Sequence, residues 1–185
     1  MMAAIETELY LEPDPESKTN TFVATSERLA LRPMTPADWP VFRDYALSKR
    51  ASHSMGTESA GEAWRNFAHL LGHHQLRGFA PLAIVVRGGE DRTIGLAGPY
   101  FPPDWPEPEL GWQIWDARFE GQGIAYEAAL TARSWSAETF GWRRMVSYIK
   151  DGNLRSIRLA QRLGCTLDKT AERRPDGSPV WRHPV

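Results

Sequence analysis

The feature that most constrains the fold is a pair of apolar runs joined by a glycine turn in the middle of the chain. Residues 82–86 (Leu-Ala-Ile-Val-Val) have the length and composition of a buried strand, and Gly88-Gly89 follow closely. Residues 93–97 form the next run and are the expected antiparallel partner. A hairpin at this place excludes a strictly alternating, all-parallel α/β fold.

The remaining periodicities predict strands and helices on both sides of this hairpin. Further strands are expected at residues 28–32, 109–115, 145–149, 166–167 and 180–182. Helices are expected at residues 35–48, 60–76, 121–140 and 153–163, with a proline-rich loop at 99–108. The predicted fold class is therefore α+β (mixed α/β), with a central mixed, mostly antiparallel, twisted sheet of about six or seven strands flanked by about four helices.

The length of 185 residues fits one domain with a substantial core. Residues 1–25 mix polar residues and prolines without a period, so we predict a poorly ordered N-terminal arm. Such an arm can pack on a neighbouring chain, so a homodimer is compatible with the sequence. Residues 26–185 are expected to form a single domain, without internal repeats.

Charge and composition exclude several classes of protein. The formal net charge is −1, which gives no footprint for nucleic acid or for an anionic membrane surface. No apolar run approaches the roughly 20 residues of a membrane-spanning helix, and the N-terminus lacks the pattern of a secretion signal. Cys165 is the only cysteine, which excludes an intrachain disulfide and fits a reducing compartment. We expect a cytoplasmic protein.

A glycine-containing loop between a predicted strand and a predicted helix is the strongest candidate for a binding site. In the segment Glu120-Gly121-Gln122-Gly123-Ile124-Ala125, small residues would let an anion approach the free amides of the helix start. A dinucleotide fingerprint needs a small residue where Tyr126 stands, and the Gly-Lys-Ser/Thr of a nucleoside-triphosphate loop is absent. By itself the loop indicates only that an anion can bind at this helix start.

His73-His74 is the only sequence feature that suggests a metal. Adjacent helical residues point about 100° apart, and no set of cysteines or carboxylates accompanies the pair, so no metal site is expected.

Several motifs in one order resemble the GNAT acetyltransferase superfamily. They are the stretch from Glu109 to Ala129, the run Val146-Ser147-Tyr148-Ile149 and the segment from Asn153 to Gly164. With Arg28-Leu29-Ala30-Leu31-Arg32-Pro33, they are most similar to the branch of ribosomal-protein N-terminal (Rim-type) acetyltransferases. The resemblance covers residues 26–172 and implies that acetyl-CoA is the co-substrate.

The resemblance also implies how the cofactor binds. Its pyrophosphate would lie on the loop from Glu120 to Ala125, and the strand before the loop (Gln113, Ile114 and Trp115) would pair through its backbone with the pantetheine arm. Glu120 stands where the family has arginine or glutamine, and a carboxylate there is unfavourable unless its charge is directed away. In an earlier register, Arg118 would supply the positive charge.

Three further residues take roles from the resemblance. Glu109 would accept the proton of the attacking amine, because an ammonium has no lone pair for attack. Asn153 is predicted to cap a helix and, by the resemblance, to contact the pantetheine. Ser156 would assist the departing thiolate, since the tyrosine that other members use is replaced by Ala160.

The expected activity is N-acetylation of a primary amine, on a small molecule or a protein N-terminus, by direct attack on acetyl-CoA. The acceptor site is expected between the first two helices, the loop at 99–108 and the C-terminal segment. Two alternatives stay open: a non-catalytic acyl-CoA-binding or regulatory module, and a protein-interaction domain using the eight tryptophans.

Overall fold

The computed structural model describes residues 21–185. The strands in this range are β1 (Ala24–Thr25), β2 (Leu29–Arg32), β3 (Leu82–Val86), β4 (Thr93–Tyr100), β5 (Glu109–Ile114), β6 (Val146–Tyr148), β7 (Thr166–Asp168) and β8 (Val180–Arg182). The α-helices are α1 (Trp39–Ala46), α2 (Ala60–Arg77), α3 (Ile124–Phe140) and α4 (Leu154–Arg162).

The eight strands form one mixed sheet in the order β1-β2-β3-β4-β5-β6-β8-β7. Every neighbouring pair is antiparallel except β5 and β6, which run parallel and share a single residue pair. The hairpin predicted from Gly88-Gly89 is present as β3 and β4. The predicted α+β class and the mostly antiparallel sheet are therefore confirmed.

The helices cover both faces of the sheet. On one face, α3 buries Ile124, Ala128 and Ala132 against a cluster that includes Leu110 of β5. On the other face, Phe42 of α1 and Phe67 of α2 belong to a second cluster. Because side chains alternate along a strand, β5 has one row of residues towards α3 and the other towards α1 and α2.

The pairing of β4 with β5 depends on a glycine at position 95. A Cβ built on Gly95 would lie 2.2 Å from the backbone oxygen of Gln113, closer than any two such atoms can approach. The strands therefore meet here at a distance that only glycine permits.

Some predicted boundaries are wrong for physical reasons. The helix predicted from Gly121 begins at Ile124, because Gly121 and Gly123 have φ of +73° and +78°, outside the helical region. The loop predicted from Pro99 begins after Tyr100, since Pro99 lies in β4 opposite Leu110. Pairing of β4 with β3 has already ended at Ala97, so no ladder bond is lost at the proline.

The predicted N-terminal arm, residues 1–25, lies mostly outside the described residues. Its last two residues, Ala24 and Thr25, form β1 and pair with β2, which accounts for a strand beyond the predicted six or seven. None of the helices between residues 21 and 185 combines the length and the apolar character needed to cross a membrane.

Candidate active site

A cleft of about 260 Å³ runs along β5 on the side of the sheet that faces α1 and α2. Its floor is the row of alternate β5 residues Glu109, Gly111 and Gln113. A Cβ built on Gly111 would meet no atom within 4 Å, so the floor is open above this glycine. One end of the cleft lies at Glu109, and β5 leads from the other end towards the glycine loop.

The parallel strands β5 and β6 separate beside this cleft. Their only residue pair is Glu109 with Val146, where the Val146 amide donates to the oxygen of Pro108 at 3.0 Å. One residue further along β6, a side chain replaces the backbone as the donor to β5: the Ser147 hydroxyl donates to the Leu110 oxygen at 2.7 Å. Beyond that point the two strands make no backbone ladder, so the edge of β5 borders a gap.

The direction of the β5 backbone groups decides which of them face the gap. The Trp115 amide donates to Ile94 of β4, so the alternate residue Gln113 also directs its backbone towards β4. Trp112 and Ile114 therefore direct theirs towards the gap. The carbonyls of Ile114 and Trp115 accept hydrogen bonds from Arg50, at 2.9 and 2.7 Å, and the indole of Trp115 is buried in the core.

The glycine loop presents unpaired amides at the start of α3. Its N-cap residue, Gly123, has no side chain to cap the helix, and the first intrahelical bond runs from the Glu127 amide to the Gly123 oxygen. The amides of Ile124, Ala125 and Tyr126 therefore have no helical partner. These amides lie at the positive end of a 17-residue helix, an arrangement that fits a phosphate group.

Arg28 fixes this loop from the side of β2. Its guanidinium donates to the Gln122 oxygen at 3.0 Å and forms an ion pair with Glu127 at 2.6 Å. The negative charge of Glu127, which is in the first turn of α3, is thereby balanced beside the amides.

Glu120 lies between two arginines. One carboxylate oxygen is 2.5 Å from Arg50 Nη2, and the other is 2.9 Å from Arg155 Nη1. Arg118, the residue expected to supply positive charge in the alternative register, is instead exposed and pairs with Asp116 at 2.6 Å. The charges of Arg50, Glu120 and Arg155 sum to +1. The loop region therefore stays positive, although Glu120 stands where the family has a basic or neutral residue.

Glu109 is held at the other end of the cleft, with 13% of its side chain exposed. Its Oε2 accepts a hydrogen bond from the Trp105 indole at 2.7 Å, and Arg174 Nη1 is 3.8 Å from the same oxygen. Burial raises the pKa of Glu109, and the partial opposition of Arg174, Trp105 and the Tyr148 amide does not cancel that effect. A carboxylate with a raised pKa beside a cleft has the properties of a general base.

Asn153 and Ser156 lie where α4 meets the cleft. Asn153 caps α4 as predicted, since its Oδ1 accepts a hydrogen bond from the Ser156 amide at 3.2 Å. Both residues are half-buried and line the cleft, and the Ser156 hydroxyl makes no hydrogen bond to any residue in the described part of the chain. The structure thus brings Gln113, Glu109, Asn153 and Ser156 to one cleft, although they come from two elements.

A buried polar chain supports the point where β5 and β6 separate. Ser147 donates to Leu110, so it accepts a hydrogen bond from His183 Nε2 at 2.9 Å. The other ring nitrogen of His183 then carries no proton and lies 3.3 Å from the Cys165 sulfur. Burial raises the pKa of the Cys165 thiol to about 11, so this cysteine is a buried structural residue.

Of the adjacent histidines of α2, His73 has structural contacts. The ring of buried His73 bonds the Phe79 oxygen through Nδ1 at 2.8 Å and accepts from the Phe101 amide through Nε2 at 3.3 Å. His73 therefore joins the end of α2 to the chain on either side of the β3–β4 hairpin.

Sequence reasoning missed Arg50, Tyr100, Trp105, Tyr148 and Arg174, which line or support the cleft. The loop that carries Trp105 and the C-terminal segment that carries Arg174 were expected beside the acceptor, but no spacing singles out the individual residues. Arg174 lies 65 positions beyond Glu109, and only the pairing of β6 with β8 brings the two together.

Comparison with known proteins identifies the family. The sequence model described as "Acetyltransferase (GNAT) domain" matches residues 28–166. A solved acetyltransferase from Agrobacterium tumefaciens is 36% identical, with a TM-score of 0.79 over 88% of this chain and 94% of that one.

Two structures of the ribosomal L7/L12 α-N-protein acetyltransferase RimL share the fold. The apo form is 21% identical with a TM-score of 0.69, over 89% of this chain and 94% of that one. The form in complex with coenzyme A is 22% identical with a TM-score of 0.65, over 87% and 94%. From the family match and the fold, the chain belongs to the GNAT acetyltransferase family and is an acyltransferase.

Proposed function

We propose that this protein transfers the acetyl group of acetyl-CoA directly to a primary amine. The observation that carries the proposal is the continuity of the site along β5. The cleft with the largely buried carboxylate of Glu109 and the separation from β6 lie along this strand, and the chain beyond its end leads to the unpaired amides at the start of α3.

Different parts of the fold would bind different parts of acetyl-CoA. The amides of Ile124 and Ala125 would hold the pyrophosphate, and the β5 edge from Trp112 to Ile114 would pair with the pantetheine arm. Of the three strand residues expected to pair, the amide of Ile114 is the one that faces the gap. Asn153 would contact the same arm through its side-chain amide nitrogen, because its oxygen is used to cap α4.

Two side chains of the cleft, Glu109 and Ser156, would transfer the protons of the reaction. Glu109 would accept one proton from the acceptor ammonium, which frees the nitrogen lone pair to attack the thioester carbon. The C–N bond then forms, the C–S bond breaks, and the second proton of the nitrogen is delivered to the thiolate through Ser156. No covalent intermediate with the enzyme is required.

The placement in the Rim-type branch is part of this proposal. Its support is Ser156 on the first turn of α4, with Ala160 where other members have a tyrosine, together with the fold shared with RimL. Either a protein N-terminus or a small-molecule amine would satisfy the chemistry of the cleft.

Calorimetry with acetyl-CoA and a thiol-release assay over a panel of amines test the proposal. We expect saturable binding and thiol release with at least one class of amine. Binding without turnover on any amine would favour the non-catalytic acyl-CoA module, and absence of binding would overturn the cofactor assignment altogether.

A further inference from the structure

Arg174 reaches from the connection between β7 and β8 into the end of the cleft that holds Glu109. Its guanidinium carbon lies 5.2 Å from the ring centroid of Trp105 and 5.6 Å from that of Tyr148. The side chain is 18% exposed. The two aromatic rings therefore hold a partly buried cation beside the proposed base.

The hydrogen bonds of Arg174 fix its orientation. Nε and Nη2 each lie 2.7 Å from the carboxylate of Asp176, and Nη2 also donates to the Ser178 hydroxyl at 3.2 Å. Nη1 makes no hydrogen bond to any residue between 21 and 185, and it is the nitrogen that lies 3.8 Å from Glu109. Arg174 is thus anchored on one side and directs its remaining nitrogen at the carboxylate.

The two oxygens of Glu109 have different surroundings. Trp105 donates to Oε2, and Arg174 lies nearest to the same oxygen. Oε1 accepts no hydrogen bond from a side chain in the described part of the structure. The Tyr148 backbone amide also acts on the carboxylate. Among the described residues, Oε1 is thus the oxygen that no side chain occupies, and we expect an acceptor amine to approach it.

We infer that Arg174 is a positioning residue, which together with Trp105 holds Glu109 as a carboxylate and leaves Oε1 for the acceptor. The inference rests on the proposed role of Glu109 as the base. The contact at 3.8 Å acts through charge, so it requires the guanidinium and not only its volume.

Among the other charged and titratable groups around Glu109, none takes the place of Arg174 as the positive charge beside the carboxylate. Tyr100 of β4 and Tyr148 of β6 have pKa values raised by burial, and that of Tyr100 reaches about 12, so both are neutral at physiological pH. Asp176 opposes the carboxylate and raises the pKa of Glu109. Lys150 and His53 also line the cleft, but neither is among the main groups that shift the pKa of Glu109.

Direct titration of Glu109 tests the inference without any need for turnover. Protein labelled with ¹³C at glutamate side-chain carboxyls is titrated by NMR, and the signal of Glu109 is assigned by its absence in Glu109→Gln. We expect Arg174→Gln to raise the titration midpoint of Glu109 by about one pH unit or more. Arg174→Lys should restore part of the shift, because it restores a positive charge.

Arg173→Gln is the matched control on the same loop, since Arg173 is exposed and donates only to the Gly177 oxygen. Trp105→Phe is a second variant, which removes the indole donor but keeps a ring beside Arg174, and it should also raise the midpoint. An unchanged midpoint in folded Arg174→Gln would overturn the inference, and if that variant does not fold, an unchanged midpoint in Arg174→Met, which removes the charge but keeps an aliphatic stem against the rings, would do so.

The pH dependence of turnover separates this inference from the proposed function. With an amine that the wild-type protein acetylates, the acidic limb of kcat/KM should move upwards in Arg174→Gln and stay in place in Arg173→Gln. A protein that turns over no amine would overturn the proposed function, whereas turnover with an unmoved acidic limb would overturn only the role of Arg174.

Discussion

Arg50 donates hydrogen bonds to Glu120 at 2.5 and 3.0 Å and, with its remaining donors, to the carbonyls of Ile114, the last residue of β5, and of Trp115, which follows it. One side chain from the turn between α1 and α2 thus joins the end of β5 to the loop. Glu120, the residue least expected in a phosphate-binding loop, is the acceptor that makes this connection possible.

Arg50→Met should therefore weaken both the loop and the binding of acetyl-CoA. Loss of a donor from partly buried carbonyls costs about 1–3 kcal/mol of unfolding free energy. We also expect at least a several-fold rise in the dissociation constant for acetyl-CoA, measured by calorimetry. Arg43→Met is the control, because within residues 21–185 the side chain of Arg43 pairs with Asp44 alone, on the exposed side of α1. Equal affinities in the two variants would contradict the role given to Arg50.

Glu109→Gln should slow acetyl transfer by about 100-fold or more, the usual contribution of a general base, while the affinity for acetyl-CoA changes little. The amide is almost isosteric with the carboxylate, so the Trp105 indole retains an acceptor. Steady-state kinetics and calorimetry on the same preparation measure the two quantities. A large loss of cofactor affinity would instead indicate that Glu109 shapes the binding site.

Ser156→Ala should lower kcat with little change in affinity, because the Ser156 hydroxyl makes no hydrogen bond within residues 21–185 and caps nothing. Its backbone amide, which Asn153 caps, is unchanged by the substitution. Ser134→Ala, at an exposed position of α3, serves as the control. Turnover equal to that of the control would remove Ser156 from the mechanism and leave thiolate departure to the leaving group alone.

Local signals made much of the fold predictable. The Gly88-Gly89 turn specified the central hairpin, and the period of α2 specified a helix that ends at Arg77, one residue beyond its predicted end. The start of α3 was placed three residues early, because periodicity does not report that Gly121 and Gly123 adopt positive φ. Helical spacing therefore located the loop, but it did not show at which residues the unpaired amides of the helix start lie.

The candidate site was predictable only in part. Glu109, Asn153 and Ser156 stand near or at the ends of recognisable elements, and each lies at the cleft. Arg50 and Arg174 act across 70 and 65 positions, respectively, and their partners are chosen by the order of strands in the sheet. No pattern along the chain encodes such pairs. The arginines that balance the charges of Glu120 and Glu109 could therefore be identified only from the structure.

Alanine substitutions at two glycines on the paired strands β4 and β5 should have different effects, one on stability and the other on activity. Gly95→Ala would place a Cβ 2.2 Å from the Gln113 oxygen, so we expect about 1–3 kcal/mol of lost stability or more, measured by urea unfolding. Gly111→Ala meets no atom within 4 Å and should fold normally. Because Gly111 forms the floor of the cleft, Gly111→Ala should instead lose activity, and full activity in this variant would contradict the assignment of the cleft.

The buried histidine behind Ser147 predicts how stability depends on pH. Burial, helped by the charge of Arg133, lowers the pKa of His183 to about 4 from its ordinary value near 6.5. Between these values the unfolded chain binds a proton that the folded protein does not. Stability therefore falls as pH decreases from about 6.5 to about 4, and His183 contributes on the order of 3 kcal/mol to that loss.

Urea unfolding at pH 7 and pH 5 measures this dependence. At pH 5 the wild-type protein should have lost on the order of 2 kcal/mol through His183, and His183→Gln should lose correspondingly less over the same interval. Buried His73 contributes in the same direction, because burial lowers its pKa too, so part of the dependence should remain in the variant. Equal slopes in His183→Gln and the wild-type protein would mean that folding does not lower the pKa of His183, which would contradict the unprotonated Nδ1 beside Cys165.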